Sequence, residues 1–309
     1  MTGTTPRILV VGYNAFDVTV PVNGSAIPDT KNEVPEILIG GGGPGATAAV
    51  ALARLGALVR LVTPLSDDLP GRLQEEELRN AGVDLDSCPR LAGHQTAKAV
   101  ILVDPAREHR TIYWSRGNLP LMAPDDVDPA LLEQTDLFYI DGHEHPAALK
   151  LAPLARERGI PVVMDAGSVR DGSRELTSLC TDVISSEVFA PQLAGTDDPV
   201  KALRFLASLG PERVAMTFGG GGMLALVGGE PQAVPAYDLP VVDTTGAGDV
   251  FHGAFVYGLG RGWTPSQLIT FSSAVAALKC QALGGRTGIP TLAAVRKFLT
   301  EQLPDSNLN

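Results

Sequence analysis

The segment Val241–Gly253, with the sequence VVDTTGAGDVFHG, places small residues and a carboxylate at the start of a predicted helix. Gly246, Ala247 and Gly248 leave their backbone amides uncovered, and free N–H groups together with the helix dipole favour an anion such as a phosphate group. Asp249 could accept the proton of an attacking hydroxyl while these amides stabilise the charge on a transferring phosphoryl group. The alternative is a glycine-rich helix cap in which Asp249 is an ordinary N-terminal charge.

A second glycine-rich segment is Gly40–Gly56, with the sequence GGGGPGATAAVALARLG. It contains a formal G-x-G-x-x-G before a predicted helix, and Asp67 and Asp68 follow near the position of a ribose-binding acid, so a dinucleotide site is one interpretation. However, about 27 residues separate these glycines from the first predicted strand, whereas the dinucleotide fingerprint follows its strand directly. Neither glycine cluster is followed by Lys-Ser/Thr, which excludes a Walker A loop.

Polar residues follow other predicted strands. Asp17 lies just after the first strand, where it could accept hydrogen bonds from sugar hydroxyls or simply form a turn. His143 and His145 follow another strand and could ligate a metal, as in a metal hydrolase, or His143 could contact a ligand where an α/β pocket opens. The segment 217–222, TFGGGG, suits either the close approach of a nucleotide or a hairpin.

The composition is typical of a globular protein. The 309 residues are 44% hydrophobic and 19% charged, which allows a buried core and is too little charge for a disordered chain. The net charge is −11 and no run of Lys or Arg occurs, so nucleic acid is not an expected partner. An anionic small molecule stays compatible with this charge, because a pocket can be locally positive.

Cysteine usage and hydropathy indicate the compartment. Cys88, Cys180 and Cys280 are widely separated and form no CxxC pair, so neither a zinc ribbon nor a disulfide framework is predicted. Met1–Pro6 has no apolar signal region, and no apolar run reaches the ~18–20 residues that span a bilayer. We therefore expect a cytoplasmic protein that does not associate with membranes.

Strand and helix patterns alternate along the chain, which predicts an α/β fold with a mostly parallel sheet covered by helices on both faces. Residues 13–39 and 98–118 lack helical periodicity, and we expect them to form a small β subdomain inserted twice into one core. The predicted strands are Arg7–Gly12, Val59–Val62, Thr96–Val103, Leu137–Ile140, Val162–Met164, Val183–Ser185, Arg213–Phe218 and Met223–Val227. The predicted helices are Ala46–Leu55, Leu69–Asn80, Pro146–Arg158, Pro199–Ser208, Asp249–Leu259, Pro265–Leu283 and Thr291–Leu299.

Three of these segments together resemble the ribokinase, or PfkB-type, family of carbohydrate kinases: the glycine-rich segment 40–56, TFGGGG, and VVDTTGAGDVFHGAF. The resemblance covers essentially the whole chain, and the D-T-x-G-A-G-D element is its most specific part. It implies a single ribokinase-like domain over 1–309, with a three-layer α/β/α core and a small β-strand lid that often forms a homodimer interface. It also implies transfer of the γ-phosphoryl group of ATP, with Mg²⁺, to a sugar hydroxyl.

The resemblance assigns roles by position. It implies that Asp249 is the catalytic base and that Gly246, Ala247 and Gly248 form the anion hole. The implied nucleotide-binding positions are Thr217, Gly219, Gly222 and Ser273. The implied sugar-binding positions are Asp17, Lys31, Gly42, Gly43, Thr47, His143 and Asp249. Asp243 and Thr245 match positions that often help to hold a monovalent cation such as K⁺.

Within the family, the stretches GGGPGATAAVALARLGA and VAALKC…GGRTGIP look most like sulfofructose kinases. Lys31 stands where those enzymes place a lysine near the sulfonate, and a cation there suits a sulfonate or phosphate. His143, however, stands where they use Arg, and Thr47 replaces the usual family Asn. The loop Arg110–Pro120 resembles ketohexokinases, and Ser186-Glu187-Val188-Phe189 replaces the family's Asn-x-x-Glu magnesium motif.

The resemblance thus implies an ATP-dependent sugar kinase. A keto sugar, with 6-deoxy-6-sulfofructose phosphorylated at its 1-hydroxyl as one candidate, is the first acceptor that we consider. A fructokinase, a ketohexokinase or another PfkB-type kinase is the alternative acceptor class. A non-catalytic nucleotide- or sugar-binding regulator on the same fold and a metal hydrolase using His143 and His145 are the other two function classes.

Overall fold

A computed structural model describes residues 5–24 and 28–302. Met1–Thr4, part of the segment for which we expect no signal region, lie outside the described residues, as do residues 25–27 of the first predicted insertion. Within the described residues, no helix is long and apolar enough to cross a membrane.

A nine-stranded sheet forms the centre of the molecule, in the order β15-β14-β13-β12-β11-β10-β1-β4-β6. Neighbouring strands are parallel from β6 to β13, and the β13–β14–β15 edge is antiparallel. Its strands are β1 (Arg7–Val11), β4 (Leu58–Val62), β6 (Val83–Asp84), β10 (Leu137–Ile140), β11 (Val162–Ala166), β12 (Asp182–Ser186), β13 (Arg213–Thr217), β14 (Met223–Val227) and β15 (Glu230–Val234). The predicted mostly parallel sheet is confirmed.

Helices cover both faces of this sheet. Alternate residues of β1 point to opposite sides: Ile8 and Val10 belong to one buried cluster, and Leu9 and Val11 belong to the other. The helices are α1 (Pro44–Leu55), α2 (Leu69–Asn80), α3 (His145–Glu157), α4 (Ser173–Leu179), α5 (Phe189–Ala194), α6 (Pro199–Ser208), α7 (Ala247–Gly260), α8 (Pro265–Lys279) and α9 (Leu292–Gln302). Short 3-10 turns span Pro124–Asp126, Pro129–Gln134 and Gly219–Gly221. The three-layer α/β/α prediction is therefore confirmed.

The two stretches without helical periodicity contribute strands to a separate four-stranded sheet, in the order β3-β2-β8-β9. These strands are β2 (Ala15–Pro21), β3 (Leu38–Gly42), β8 (Lys98–Asp104) and β9 (His109–Ser115). We call this the small sheet. A two-stranded pair, β5 (Leu65–Ser66) and β7 (Arg90–Leu91), completes the strands.

The structure differs from the predicted elements at short or capped segments. The helices α4 and α5 were not predicted, because seven and six residues are too short for a clear 3.6-residue repeat. The predicted helix to Leu283 ends at Lys279, because the carbonyl oxygen of Cys280 instead accepts hydrogen bonds from the N–H groups of Val242 and Asp243.

The helix that carries Asp249, α7, packs closely on α1 at Gly253. A Cβ added to Gly253 would lie 2.8 Å from the carbonyl oxygen of Ala48 on α1. The absence of a side chain at this crossing therefore sets how near α7 comes to the glycine-rich turn that begins α1.

We expect Gly253→Ala to destabilise the fold, although alanine favours a helix over glycine by about 1 kcal/mol. The new methyl group would overlap a backbone atom of α1, and such overpacking typically costs about 1–3 kcal/mol. The free energy of unfolding in urea should therefore fall by about 1 kcal/mol. Gly248→Ala on the same helix is the matched control, because no atom lies within 4 Å of its added Cβ. Equal losses in both variants would contradict this account.

Candidate active site

The start of α7 presents backbone amides to one point. Gly246 is the N-cap with φ +75°, and a Cβ there would lie 2.7 Å from the carbonyl oxygen of Gly285, so only glycine fits. Among the described residues, the N–H groups of Gly246, Gly248 and Asp249 have no acceptor. The N–H of Ala247, in contrast, donates to the carbonyl oxygen of Thr244 at 3.1 Å. Of the three amides predicted to form the anion hole, that of Ala247 is therefore already used inside the turn.

Asp249 lies in this turn as a half-buried carboxyl group. Burial raises its pKa to about 7, the negative charge of Asp165 adds to the increase, and His252 and Arg110 oppose it. Asp165 lies at the end of β11 beside His252, whose Nδ1 is 3.3 Å from Asp165 Oδ2. Burial likewise raises the pKa of Asp165 to about 7. A carboxyl group with a pKa near neutral pH is suited to accept and return a proton.

Asp17 reaches over the glycine-rich turn from β2. It is 7% exposed, and burial raises its pKa to about 7 against the lowering effect of Arg286. A Cβ on Gly42 would lie 1.9 Å from Asp17 Oδ2, and a Cβ on Gly41 would lie 1.9 Å from Arg286 Nη1. The two side chains thus occupy the space that residues larger than glycine would fill. Gly43, at φ +83°, closes the turn.

Arg286 is a site residue that the sequence analysis missed. It is 4% exposed, and its guanidinium donates to the side-chain oxygen of Asn14 at 3.2 Å, to Thr47 Oγ1 at 3.3 Å and to the carbonyl oxygen of Gly42. Thr47, predicted as a sugar contact, is itself 1% exposed and faces this guanidinium. Arg286 lies more than 230 residues from each of these partners, so no local pattern could have connected them. The fragment GGRTGIP was the one signal available.

A cavity of about 700 Å³ opens beside this region. Its lining includes Asp17, Gly41, Glu77, Gly285 and Arg286, from the small sheet, α2 and the loop that follows α8. Asp249 does not line it. The cavity therefore adjoins Asp17 and Gly41 near the predicted sugar-binding positions.

Asp141 joins three chain segments at the end of β10. Its Oδ2 accepts hydrogen bonds from the N–H groups of Tyr13 at 2.7 Å and Gly45 at 2.8 Å, and its Oδ1 accepts one from the N–H of His143 at 2.9 Å. The Tyr13 ring stacks on the His143 ring with centroids 4.5 Å apart. Asp141 thereby holds His143 next to the start of α1, and the ligand-contacting role of His143 stays a prediction.

Two arginines reach this stacked pair. The Arg116 guanidinium lies 5.4 Å from the centroid of the Tyr13 ring and forms an ion pair with Glu144. Arg170 Nη2 lies 2.9 Å from His143 Nε2, and among the described residues Arg170 has no carboxylate partner. Burial lowers the pKa of His143, Asp141 opposes this, and the two arginines add to the decrease, which favours a neutral ring that accepts from Arg170.

The metal-hydrolase alternative receives no support from this arrangement. His145 is the first residue of α3, and the ring of His143 is engaged with Arg170. In the part of the chain that the structure describes, no group of three or more His, Cys, Asp or Glu could hold a metal ion.

Three of the predicted nucleotide-binding residues lie at or just after the end of strand β13. Thr217 ends β13, and the turn at 219–221 joins it to β14, so the hairpin is formed. Gly222 has φ +85°, and a Cβ there would lie 2.2 Å from the carbonyl oxygen of Val234. Ser273 is half-buried on α8. The roles of these residues stay predictions.

Lys31 and Ser186 are the last two positions that the sequence analysis singled out. Lys31 is exposed and has no hydrogen bond or ion pair among the described residues. Ser186, at the position of the family Asn-x-x-Glu motif, accepts hydrogen bonds from the N–H groups of Val188 and Phe189 and donates to the carbonyl oxygen of Gly167. Its hydroxyl therefore satisfies two backbone amides at the start of α5.

The comparisons with known proteins agree on one family. The profile of the pfkB family carbohydrate kinases matches residues 5–292. The chain is similar to a ribokinase of Haemophilus influenzae, with 29% identity over 84% of this chain and 87% of that protein. It is also similar to the bifunctional ribokinase/ribose-5-phosphate isomerase A of Fructilactobacillus sanfranciscensis, with 26% identity over 96% of this chain but only 56% of that longer protein. A putative ribokinase structure from Agrobacterium tumefaciens superposes with a TM-score of 0.88 at 26% identity, over 98% of this chain and 100% of that one.

We expect Asp17→Asn to stabilise the protein at high pH. Burial raises the pKa of Asp17 from 3.8 to about 7, so between these pH values the unfolded chain releases a proton that the folded protein keeps. The free energy of unfolding therefore falls as the pH rises through this window. Urea unfolding should show the variant more stable than wild type at pH 8, on the order of 1 kcal/mol or more, with the advantage disappearing towards pH 4. A difference that does not change with pH would contradict the raised pKa.

Proposed function

Because the chain belongs to the pfkB family of carbohydrate kinases and is an ATP-dependent sugar kinase of the ribokinase type, we propose that its acceptor is an anionic keto sugar. The leading candidate is 6-deoxy-6-sulfofructose, which would be converted to its 1-phosphate. The observation that carries this proposal is the half-buried guanidinium of Arg170 beside His143, which has no carboxylate partner in the described ranges.

The surroundings of Arg170 suit an anionic group on the sugar. Its Nη2 already contacts the neutral His143 ring at 2.9 Å, which orients the guanidinium without cancelling its charge. A planar guanidinium offers several donors to a sulfonate or phosphate in a fixed geometry. The resemblance places Arg at position 143 in sulfofructose kinases, and here Arg170 brings a guanidinium to that position from the loop before α4. Lys31, which is exposed, is the second cation that we assign to this group.

The small sheet and the glycine-rich turn would orient the sugar. We assign Asp17 to accept hydrogen bonds from its hydroxyl groups, and Gly42 and Gly43 to let the ring approach the backbone closely. Asp249 then removes the proton of the acceptor hydroxyl, which makes its oxygen nucleophilic. The free amides of Gly246 and Gly248 stabilise the charge that develops on the phosphoryl group.

The remaining predicted site residues are assigned to the nucleotide and to its metal ion. We assign Thr217, Gly219, Gly222 and Ser273 to the nucleotide. Ser186 offers no carboxylate for Mg²⁺, but Asp165 on the neighbouring strand β11 is a buried hard-oxygen donor close to Asp249. Mg²⁺ is usually bound through one or two carboxylates plus phosphate oxygens and water. It would be held by Asp165 and would offset the negative charge of the phosphates.

We further propose that the exposed face of the small sheet is covered by a second copy of the chain. Val18 pairs with both Ile39 and Val100, and Val100 pairs with Tyr113, so these apolar residues share one face. Ile39, Val100 and Tyr113 are 59%, 44% and 64% exposed. An apolar strip of this kind is typical of an interface.

A cytoplasmic location is also proposed, supported by three buried, unpaired cysteines, Cys88, Cys180 and Cys280.

We expect Asp249→Asn to lower turnover by about 10²- to 10⁴-fold, because it removes the proton acceptor and keeps the shape of the site. ADP release should be followed with Mg·ATP and a panel of fructose, fructose 6-phosphate, sulfofructose, ribose, 2-keto-3-deoxygluconate and a nucleoside. Calorimetry should show ATP bound with affinity within a few-fold of wild type. Near-native turnover in the variant would remove Asp249 from the role of base, and tight ATP binding without ADP release from any sugar in the wild type would favour the regulator.

We expect Arg170→Met to separate anionic from neutral acceptors. Loss of a charge-assisted hydrogen bond costs about 1.5–3 kcal/mol, so kcat/KM for sulfofructose should fall about 10- to 100-fold while kcat/KM for fructose changes less than about twofold. Arg174→Met is the matched control, because Arg174 lies on α4 with its guanidinium over the Phe205 ring, 5.1 Å from the centroid. Equal losses on both sugars, or a wild type that prefers fructose or ribose, would reject the anionic acceptor in favour of a neutral one.

A further inference from the structure

Lys279 places a buried ammonium group directly behind the anion-binding turn. It is the last residue of α8, is 0% exposed, and its Nζ donates to the carbonyl oxygen of Asp243 at 3.0 Å. Asp243 is 1% exposed and begins the D-T-T-G-A-G-D segment that ends in Asp249. A positive charge on one chain segment is therefore fixed against the loop that presents the catalytic residues.

The oxygen atoms of Asp243 are already engaged. Its Oδ1 accepts hydrogen bonds from the N–H of Thr245 at 2.8 Å and from Thr245 Oγ1 at 2.6 Å. Its Oδ2 accepts one from the N–H of Gly284 at 2.7 Å, and its carbonyl oxygen accepts one from Lys279. Each of these oxygens therefore has a protein donor.

These residues do not fit a bound monovalent metal cation. A K⁺ ion is held by several oxygen atoms that replace its hydration shell, whereas the oxygens of Asp243 face N–H and O–H donors and an ammonium group. Asp243 and Thr245, the two residues expected to hold a monovalent cation, do lie together. The positive charge next to them, however, is the ammonium group of Lys279.

We propose that the Lys279 ammonium acts as a built-in replacement for the monovalent cation at this loop, so that the kinase works without K⁺. The inference rests on the proposed kinase function and names Lys279 as a positioning residue, because it contacts the loop and not the reacting groups. The buried ammonium compensates the Asp243 carboxylate where little water reaches, since an uncompensated charge there would be costly. This holds the turn in the shape that exposes the amides of Gly246 and Gly248.

The surrounding charges are consistent with this role. Burial lowers the pKa of Lys279, and the carboxylates of Asp243 and Asp249 oppose that decrease. Arg110 of the small sheet donates to Thr244 Oγ1 at 2.6 Å and adds to the decrease in the pKa of Lys279. Arg110 is exposed to solvent, so Lys279 is the cation whose charge is least screened at this loop.

The first test uses the wild-type protein. ADP release should be measured in tetramethylammonium chloride and in KCl at equal ionic strength, and the rates should agree within about twofold. The unfolding temperature should also be the same in both salts, and this second readout does not depend on any sugar being accepted. A rise of more than about fivefold in rate with K⁺, or a K⁺-specific rise in unfolding temperature, would overturn the proposal.

The second test creates a cation requirement. Lys279→Ala should lose at least about tenfold in rate without K⁺, and K⁺ or Rb⁺ should restore part of the rate and raise the unfolding temperature of the variant. Lys150→Ala is the matched control, because Lys150 Nζ donates to the carbonyl oxygens of Pro124 at 2.8 Å and Val127 at 3.1 Å, away from the site. It should show no response specific to K⁺.

The outcomes separate this inference from the kinase proposal. If Lys279→Ala keeps wild-type turnover without K⁺, or if Lys150→Ala responds to K⁺ as strongly as Lys279→Ala, the assignment of Lys279 is rejected while the kinase activity stands. If no sugar on the panel is phosphorylated, the unfolding temperatures of wild type and Lys279→Ala in the two salts still decide the cation question. If Lys279→Ala does not fold, the wild-type comparison decides it alone.

Discussion

The arrangement of the site depends on one buried carboxylate, Asp141, that binds three loops at once. Its hydrogen bonds to the N–H groups of Tyr13, Gly45 and His143 connect the end of β1, the glycine-rich turn before α1 and the loop after β10. A Cβ on Gly12 would lie 2.7 Å from Asp141 Oδ2 and 2.9 Å from the Cα of Gly45, so the loops meet at backbone contact. Neighbouring parallel strands end at the same edge of the sheet. The hydrogen bonds of Asp141 hold the loops that follow these strands against one another.

The site separates its charges by region. The start of α7 offers amide hydrogens, and the region around His143 offers guanidinium groups. Asp249 in the first turn of α7, Asp165 on β11 and Asp17 on β2 add carboxyl groups, whose pKa values burial raises to about 7. Burying several carboxyl groups together is unfavourable, because each ionised group repels the others and lacks water. A divalent metal that arrives with the nucleotide would place positive charge beside such carboxyl groups.

Local patterns in the sequence were sufficient to predict the turns and helices that are formed by residues close together in the chain. The glycine spacing around residues 40–56 and 243–249 predicted both turns, and periodicity predicted α1, α2 and α6 to within a few residues. Arg286, Arg170 and Lys279 were missed as site residues, although the fragments that contain Arg286 and Lys279 carried part of the family resemblance. Their roles come from contacts between distant segments: Arg286 with Asn14, Arg170 with His143, and Lys279 with Asp243. A lone arginine or lysine carries no local signal of the partner that it will meet, and an isolated positive charge in a sequence is most often solvated.

The glycine tetrad 40–43 also limits how this enzyme could be redesigned. At Gly41 and Gly42 the volume of a side chain is already taken by Arg286 and Asp17. A side chain at either position would have to displace the buried Arg286 or Asp17, so this end of β3 leaves little room for substitution. The cluster of Tyr13, His143, Arg116 and Arg170 is different, because its partners are side chains that can be exchanged without moving the backbone. Under the proposed assignment of this cluster to the sugar, altered specificity is best sought by varying it and leaving the glycines as they are.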